Sequence, residues 1–145
     1  MNIYVEGPRW SGMWTEIIAD ALHELGHQVD YGYHNHKTAR DRLTLAVQSL
    51  APGSNRKHHW EQRQRQRLLA RLLNRKVDVL LSIQGNIDRH TASVLRKQAP
   101  ELRIIYWWGD ILTAKAHARL HEAAGFADRL LVSYLGAYQA LSLIH

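Results

Sequence analysis

The amino-acid sequence predicts a single α/β domain built on a parallel sheet. Short apolar runs alternate with amphipathic stretches along nearly all of the 145 residues, and five of these runs read as strands. Strands separated by helices are typical of parallel sheets with right-handed crossovers. The length suits one domain rather than two. We therefore expect a Rossmann-like three-layer sandwich, residues 1–145, with strand order 2-1-3-4-5, an order typical of the fold class rather than read from particular residues.

The predicted strands differ in their patterns. Val77–Ile83 is a nearly continuous apolar run, as expected for a strand that is covered on both faces. His27–Tyr33 instead alternates apolar and polar residues, which is typical of a strand with one polar face. The other three predicted strands are Asn2–Glu6, Leu102–Trp107 and Arg129–Val132.

Helices are predicted between the strands. In the first, Met13–Leu25, apolar residues recur at spacings of three and four, and Gly26 follows as a left-handed C-cap. The remaining predicted helices are Thr38–Leu50, a basic stretch that becomes apolar from Leu68, His90–Gln98, Ala114–Ala124, and one that begins near Gly136.

Composition excludes several classes of protein. The chain has no cysteine, which excludes disulfides and thiolate metal sites. No apolar run approaches the roughly 18 residues of a membrane span. The N-terminal sequence MNIYVEGPRW lacks the basic flank and apolar stretch of a signal peptide, so we expect a cytoplasmic protein.

The loops that follow the strands contain the candidate site. Ligands of open parallel sheets bind beyond the carboxyl ends of the strands, where this sequence places glycines, polar side chains and tryptophans. Aromatic faces combined with amides and carboxylates suit a ligand that carries hydroxyl groups or rings. The candidate binding residues are Gly7, Arg9, Trp10, Gln84, Gly85, Asn86, Trp108, Asp110, Ser133 and Tyr134.

The first of these loops, residues 7–12, is neither a dinucleotide fingerprint nor a Walker loop, because no lysine follows its second glycine. It precedes a helix N-terminus, so it is able to bind an anionic or hydroxylated group. A plain structural turn is the favoured alternative.

Two adjacent tryptophans end the fourth strand in the sequence RIIYWWGD. Because neighbours on a strand point to opposite faces, we assign Trp107 to helix packing and Trp108 to the site. The alternative is that both rings belong to the core. Asp110 likewise has an alternative role as the N-cap of the next helix.

Four segments together resemble the N-terminal domain of GT-B fold glycosyltransferases, and most closely the spore-maturation CgeB type. They are ELGHQV, KVDVLLSIQG, YWWGD and ADRLLVSYLGAYQAL. The pair of IQG at residues 83–85 and WWGD at 107–110 is the more specific part of the likeness.

The resemblance implies a two-domain enzyme that moves a sugar from a nucleotide-sugar donor to an acceptor, without a cofactor. This chain would be the acceptor-side half, inactive until a donor-binding domain or partner chain joins it. The chain ends at an apolar segment, which agrees with that expectation. The residues that would line the inner wall of the cleft are Gly7, Gln84, Gly85, Trp108 and Asp110.

The general base of such a transfer is not identified by the sequence. His34 and His36 follow a predicted strand, so either could act on an acceptor hydroxyl, and Asp110 is the other weak candidate. His117 and His121 are four residues apart on a predicted helix, yet no third ligand lies at a convincing spacing. We therefore expect no metal site.

Positive charge is concentrated in one segment. Between Arg56 and Lys76 there are eight lysine or arginine residues and one acid, a net charge of +7, whereas the rest of the chain has a net charge of −1. The rival function is therefore a stand-alone module whose basic helix contacts nucleic acid or a protein. We favour a solvated helix whose arginine stems cover apolar surface. A third reading is that an exposed apolar patch makes the chain a homodimer.

Overall fold

The structure, a computed structural model, describes residues 1–9, 14–48, 56–85, 87–109 and 113–133. Strands and helices alternate through most of these ranges, as the sequence predicts. In chain order they are β1 (Asn2–Gly7), α1 (Trp14–Glu24), β2 (Gln28–Tyr33), α2 (Ala39–Gln48), α3 (Arg56–Asn74), β3 (Val79–Ile83), α4 (Arg89–Gln98), β4 (Arg103–Trp108), α5 (Ala114–Ala124) and β5 (Arg129–Val132).

The five strands form one parallel sheet in the order β2-β1-β3-β4-β5. This confirms the predicted fold class and strand order. Gly7 lies opposite Tyr33 in the register of β1 and β2, and Trp108 lies opposite Val132 in that of β4 and β5. Because all strands run the same way, their carboxyl ends meet at one edge of the sheet, which we call the strand-end edge.

Helices cover the two faces of the sheet. Helix α1 packs on one face, where Ile3, Val5 and Leu81 form a cluster with Ala19 of the helix. On the other face α3 and α4 pack against Tyr4, Leu80 and Ile104, and α5 packs against Tyr106. Alternate residues of β1 and β3 therefore point into opposite apolar layers, as the pleat requires. The result is the predicted three-layer sandwich.

The bounds of the elements agree with the sequence prediction to within two residues for every strand. Gly26 has φ +84° after α1, which confirms the left-handed C-cap. Helix α3 starts at Arg56, twelve residues before the apolar turns at Leu68, so the basic stretch is helical as far as Asn74, as predicted. The helix predicted from Gly136 lies outside the described residues.

Among the helices of the described ranges, none combines the length and the apolar character that crossing a bilayer requires.

Helix α3 is held in place through its arginines as well as its leucines. Its own Leu68 and Leu72 are buried against the sheet. Three of its basic side chains bind other parts of the domain: Arg65 pairs with Asp88, Arg67 pairs with Asp41, and Arg71 donates to the Tyr4 hydroxyl. Arg75, which directly follows the helix, pairs with Asp30. Much of the concentrated positive charge is therefore used inside the fold.

The Asp41 carboxylate is the most buried member of these pairs, with an exposed fraction of 1%. It accepts hydrogen bonds from Thr38 N at 2.9 Å and from Arg67 Nη1 and Nη2 at 2.8 and 2.6 Å. Asp41 N in turn donates to Thr38 Oγ1 at 3.2 Å, so Thr38 and Asp41 form a capping box at the start of α2. The Arg67 guanidinium holds the pKa of Asp41 well below its usual range.

We predict that Asp41→Asn lowers the free energy of unfolding by about 1.5 kcal/mol at pH 7, since it weakens the cap and the ion pair. The ion pair contributes only part of this because the Arg67 side chain is 40% exposed. Urea unfolding measures the loss. Asp20→Asn, on the exposed side of α1, is the matched control and should change stability little.

The same variant has a defined pH dependence. The pKa of Asp41 is lower in the folded protein than its unfolded value of about 3.9, so the ionised carboxylate stabilises the fold at a pH above about 3.9. This stabilisation is lost as the pH falls. The difference between Asp41→Asn and the wild type should therefore be full above about pH 5 and shrink below pH 4. A difference that is constant from pH 7 to pH 3 would contradict the pairing.

Candidate functional site

The strand-end edge brings together the candidate residues that the structure describes. Gly7 ends β1, Gln84 and Gly85 follow β3, Trp108 ends β4, and Ser133 follows β5. Backbone hydrogen bonds join neighbouring loops, because Gln84 N donates to Trp107 O at 2.8 Å and Ser133 N donates to Trp108 O at 3.2 Å. Gln84 and Trp108 are thus at the same end of the sheet, as the sequence predicts. Trp10, Asn86, Asp110 and Tyr134 lie outside the described residues.

Gln84 has a left-handed backbone conformation, with φ +50°. It is the one non-glycine residue with positive φ in the described ranges. Such a conformation costs about 1–2 kcal/mol for an L-residue. Strain of this kind concentrates at sites where the chain must present a group in a particular way, and here it occurs directly after the central strand β3.

A buried polar cluster lies beneath this turn. The Glu6 carboxylate is 5% exposed, and its Oε2 accepts a hydrogen bond from Ser82 Oγ at 3.1 Å. The Tyr106 hydroxyl donates to Gly85 O at 3.2 Å, and burial raises the pKa of Tyr106 to about 12. Three adjacent strands therefore each contribute one polar group to the same face of the sheet, close to their carboxyl ends.

Gly85 has no room for a side chain. A methyl group placed on it would overlap Ser82 Oγ and lie 2.8 Å from Glu6 Oε2. Glycine is needed here because the backbone approaches the buried carboxylate too closely for a Cβ.

His34 follows β2 at this edge, as predicted. Its Nδ1 is buried and has no hydrogen-bond partner among the described residues. Burial, and then the positive charge of Arg119 on α5, lower the pKa of His34 to about 4. The ring is therefore neutral at pH 7. His36 is exposed.

The two tryptophans of β4 pack on opposite faces of the sheet. Trp107 packs on the α1 side, where its ring meets that of Trp14 edge-on at 5.7 Å between centroids. Trp108 is at the edge, but its ring packs toward Tyr106 and Leu120 on the α5 side. Both rings are half-buried, so packing accounts for much of each. The Trp108 Nε1 is buried without a partner in the described part of the chain.

Arg9 and Gly7 join the loops after β1 and β2. Arg9 N donates to Asn35 Oδ1 at 2.7 Å, and the Arg9 guanidinium lies 5.7 Å from the centre of the Tyr33 ring. Gly7 is buried, and a Cβ on it would overlap Thr15 Oγ1. The lack of a side chain at Gly7 therefore permits the close approach of β1 to α1, while residues 10–12 of this loop lie outside the described residues.

Thr113, and not Asp110, is the N-cap of α5. Its side chain accepts a hydrogen bond from Ala116 N at 3.2 Å. The alternative role that the sequence suggested for Asp110 is therefore wrong. A threonine three residues nearer the helix supplies the oxygen that the first turn needs.

A cavity of about 180 Å³ opens beside the buried cluster. We call it the α3 pocket; it lies between α3, the last residues of β1 and β2, and the loop that follows β2. Polar groups make up much of its lining. They include Tyr4, Glu6, His34, Gln64, Arg67 and Arg71.

Sequence reasoning missed the buried polar residues Glu6, Ser82 and Gln64, and also Arg119. For two of them a signal was present, because Glu6 and Ser82 are polar residues within otherwise apolar strands. A polar residue in such a run has to find a partner when it is buried. Gln64 and Arg119 are among several similar residues on their helices, so nothing local distinguishes them.

The described ranges contain no group of three or more histidine, aspartate or glutamate side chains that could hold a metal ion. His117 and His121 are both exposed on α5.

In comparisons with known proteins, no family model matches the chain, and no curated protein is significantly similar to it in sequence.

We predict that Gly85→Ala destabilises the domain by about 2 kcal/mol, because the new methyl group displaces the hydrogen bond between Ser82 and Glu6. Gly109→Ala is the matched control at the end of β4, where the nearest atom would be 3.4 Å away, and it should change stability by less than about 0.5 kcal/mol. Chemical denaturation measures both.

Adding Ser82→Ala to Gly85→Ala should recover part of the loss, since it removes the overlapping hydroxyl. If Gly85→Ala and Gly109→Ala are equally stable, the buried cluster can rearrange around a methyl group without cost, which would contradict the close packing at Gly85.

Proposed function

We propose that this chain is the acceptor-side domain of a GT-B type glycosyltransferase, and that the strand-end edge binds the sugar acceptor. The observation that carries the proposal is the buried cluster of Glu6, Ser82 and Gly85 beneath the strained Gln84 turn. Donor binding would require a second domain or a partner chain.

The cluster has the features of a binding site rather than of a stabilising core. A buried carboxylate costs several kcal/mol unless it is well hydrogen-bonded, and the Gln84 conformation adds a further cost. Proteins keep such costs mainly where a ligand needs the groups. Amides, a carboxylate and an indole on one edge suit a hydroxylated acceptor.

The residues at this edge would orient the acceptor hydroxyl and accept its proton. With a pKa of about 4, His34 is better suited to hold the hydroxyl by a hydrogen bond than to act as general base near pH 7. The Glu6 carboxylate is the stronger candidate for the base, since it lies within the cluster. The step would be direct displacement at the anomeric carbon, in which the acceptor oxygen forms the new bond and the nucleotide leaves.

The rival function, a nucleic-acid module, is less well supported. Arg65, Arg67, Arg71 and Arg75 of the basic segment are engaged within the domain, which leaves fewer charges for a phosphate backbone.

The test is a chemical-shift titration of the labelled protein with a panel of nucleotide-sugars and simple sugars. We expect shifts at the amides of Gly85, Gly109 and Ser133 and at the Trp108 indole. The control signals are Gln28 and Glu101 near the opposite end of the sheet, which should not move.

The salt dependence separates the two functions. Binding of a sugar acceptor should change little between about 50 and 200 mM salt, whereas nucleic-acid binding should fall steeply over that range. Steeply salt-dependent binding of single-stranded DNA, with no shift at the strand-end edge for any sugar, would replace the proposal by its rival.

A further inference from the structure

The α3 pocket contains two buried polar atoms without partners. Gln64 is 8% exposed, and its Nε2 has no hydrogen-bond partner in the described ranges. His34 also lines the pocket, and its Nδ1 is buried and unpartnered in the same sense. Buried polar groups are nearly always hydrogen-bonded to protein, water or ligand. Two such atoms on one cavity therefore indicate that a molecule in the cavity forms hydrogen bonds with them.

The cavity is also kept open by a glycine. A methyl group on Gly32 would lie 2.6 Å from Arg71 Nη1 and would overlap the Tyr4 hydroxyl. Arg71 Nη1 donates to that hydroxyl at 2.8 Å. The absence of a side chain at Gly32 thus lets Arg71 lie across β2 and form one wall of the pocket.

The charges around the cavity balance. Arg67 is neutralised by Asp41, with which it forms two hydrogen bonds, and the other arginine and the glutamate of the lining, Arg71 and Glu6, carry opposite charges. His34 is neutral at pH 7 because burial and Arg119 depress its pKa. An ionic ligand would therefore enter without a free counter-charge, which is costly in a partly buried site.

We propose that the α3 pocket binds one small neutral polyhydroxylated molecule, a polyol or a single sugar ring. Its hydroxyl groups would form hydrogen bonds with the side chains of Gln64 and His34. A hydroxyl both donates and accepts, so it satisfies either orientation of the Gln64 amide and either tautomer of the imidazole. The cavity volume of about 180 Å³ exceeds the space that one water needs. Leu68 and the Tyr4 ring, which also line it, cover the C–H surface of such a ligand.

His34 and Glu6 border both the α3 pocket and the proposed acceptor site, but the pocket itself is formed under α3 and includes Gln64, so the inference holds whether or not the chain transfers sugar. The two are also separable by position, since the amides of Gly109 and Ser133 report on the strand-end edge and the Gln64 side chain reports on the pocket.

The experiment titrates the wild-type protein with glucose and myo-inositol, and with gluconate and glucose 6-phosphate as charged counterparts. The readouts are the Gln64 side-chain amide and the ring nitrogens of His34. We expect saturable shifts of both with the neutral compounds, at a Kd of about 1 mM or tighter. The charged compounds should bind about tenfold more weakly.

Gln64→Met keeps the length of the side chain and removes its amide, so it should weaken polyol binding about tenfold. Gln66→Met, the same change on the exposed side of α3, should leave binding unchanged.

Four results would overturn the proposal. They are the absence of shifts at Gln64 and His34 in the wild type, tighter binding of the charged compounds, equal binding by the two methionine variants, and shifts confined to Gly109 and Ser133. The last would leave the proposed function standing. The wild-type measurement decides the matter even if Gln64→Met fails to fold.

Discussion

The burial of the Glu6 carboxylate at the end of β1 is the constraint on which the strand-end edge depends. Glu6 lies on the same face of the sheet as Tyr4, two residues before it, so it continues an apolar layer with a charge. Burying this charge costs several kcal/mol unless hydrogen bonds offset the loss of hydration, and one such bond comes from Ser82 on the neighbouring strand. That arrangement forbids a side chain at Gly85 and accompanies a strained backbone at Gln84. A buried carboxylate and a strained turn therefore lie next to each other at the strand-end edge, and the proposal of a binding site depends on this arrangement.

Most of the fold is predictable because it follows from local periodicity. The five strands have continuous or alternating apolar patterns, and the parallel arrangement follows from the helices between them. The start of α3 is not predictable in this way, because its first turns have no apolar stripe. Later in the helix, Arg67 and Arg71 bind Asp41 and Tyr4, which lie far away in the sequence. Charge patterning alone cannot distinguish such arginines from solvated ones.

The sequence predicts where the candidate site lies in the fold, but it does not predict which side chains are buried there. The rule that parallel strands end at one edge correctly brings Gly7, Gln84 and Trp108 to the same end of the sheet. It does not reveal which polar side chains become buried there, since burial of Glu6 and Gln64 depends on elements that pack over them. The proposed reaction rests on a resemblance in sequence, whereas the proposed position of the ligand rests on the buried polar groups.

The most direct measurement is the free energy of unfolding of the double variant Glu6→Met, Ser82→Ala. If the carboxylate is kept for a ligand, replacing it and the Ser82 hydroxyl by apolar groups of similar size should leave stability within about 1 kcal/mol of the wild type, or raise it. A loss of more than about 3 kcal/mol would show that the pair holds the sheet together. The strand-end edge would then be a structural feature, and the account of it as a binding site would be wrong.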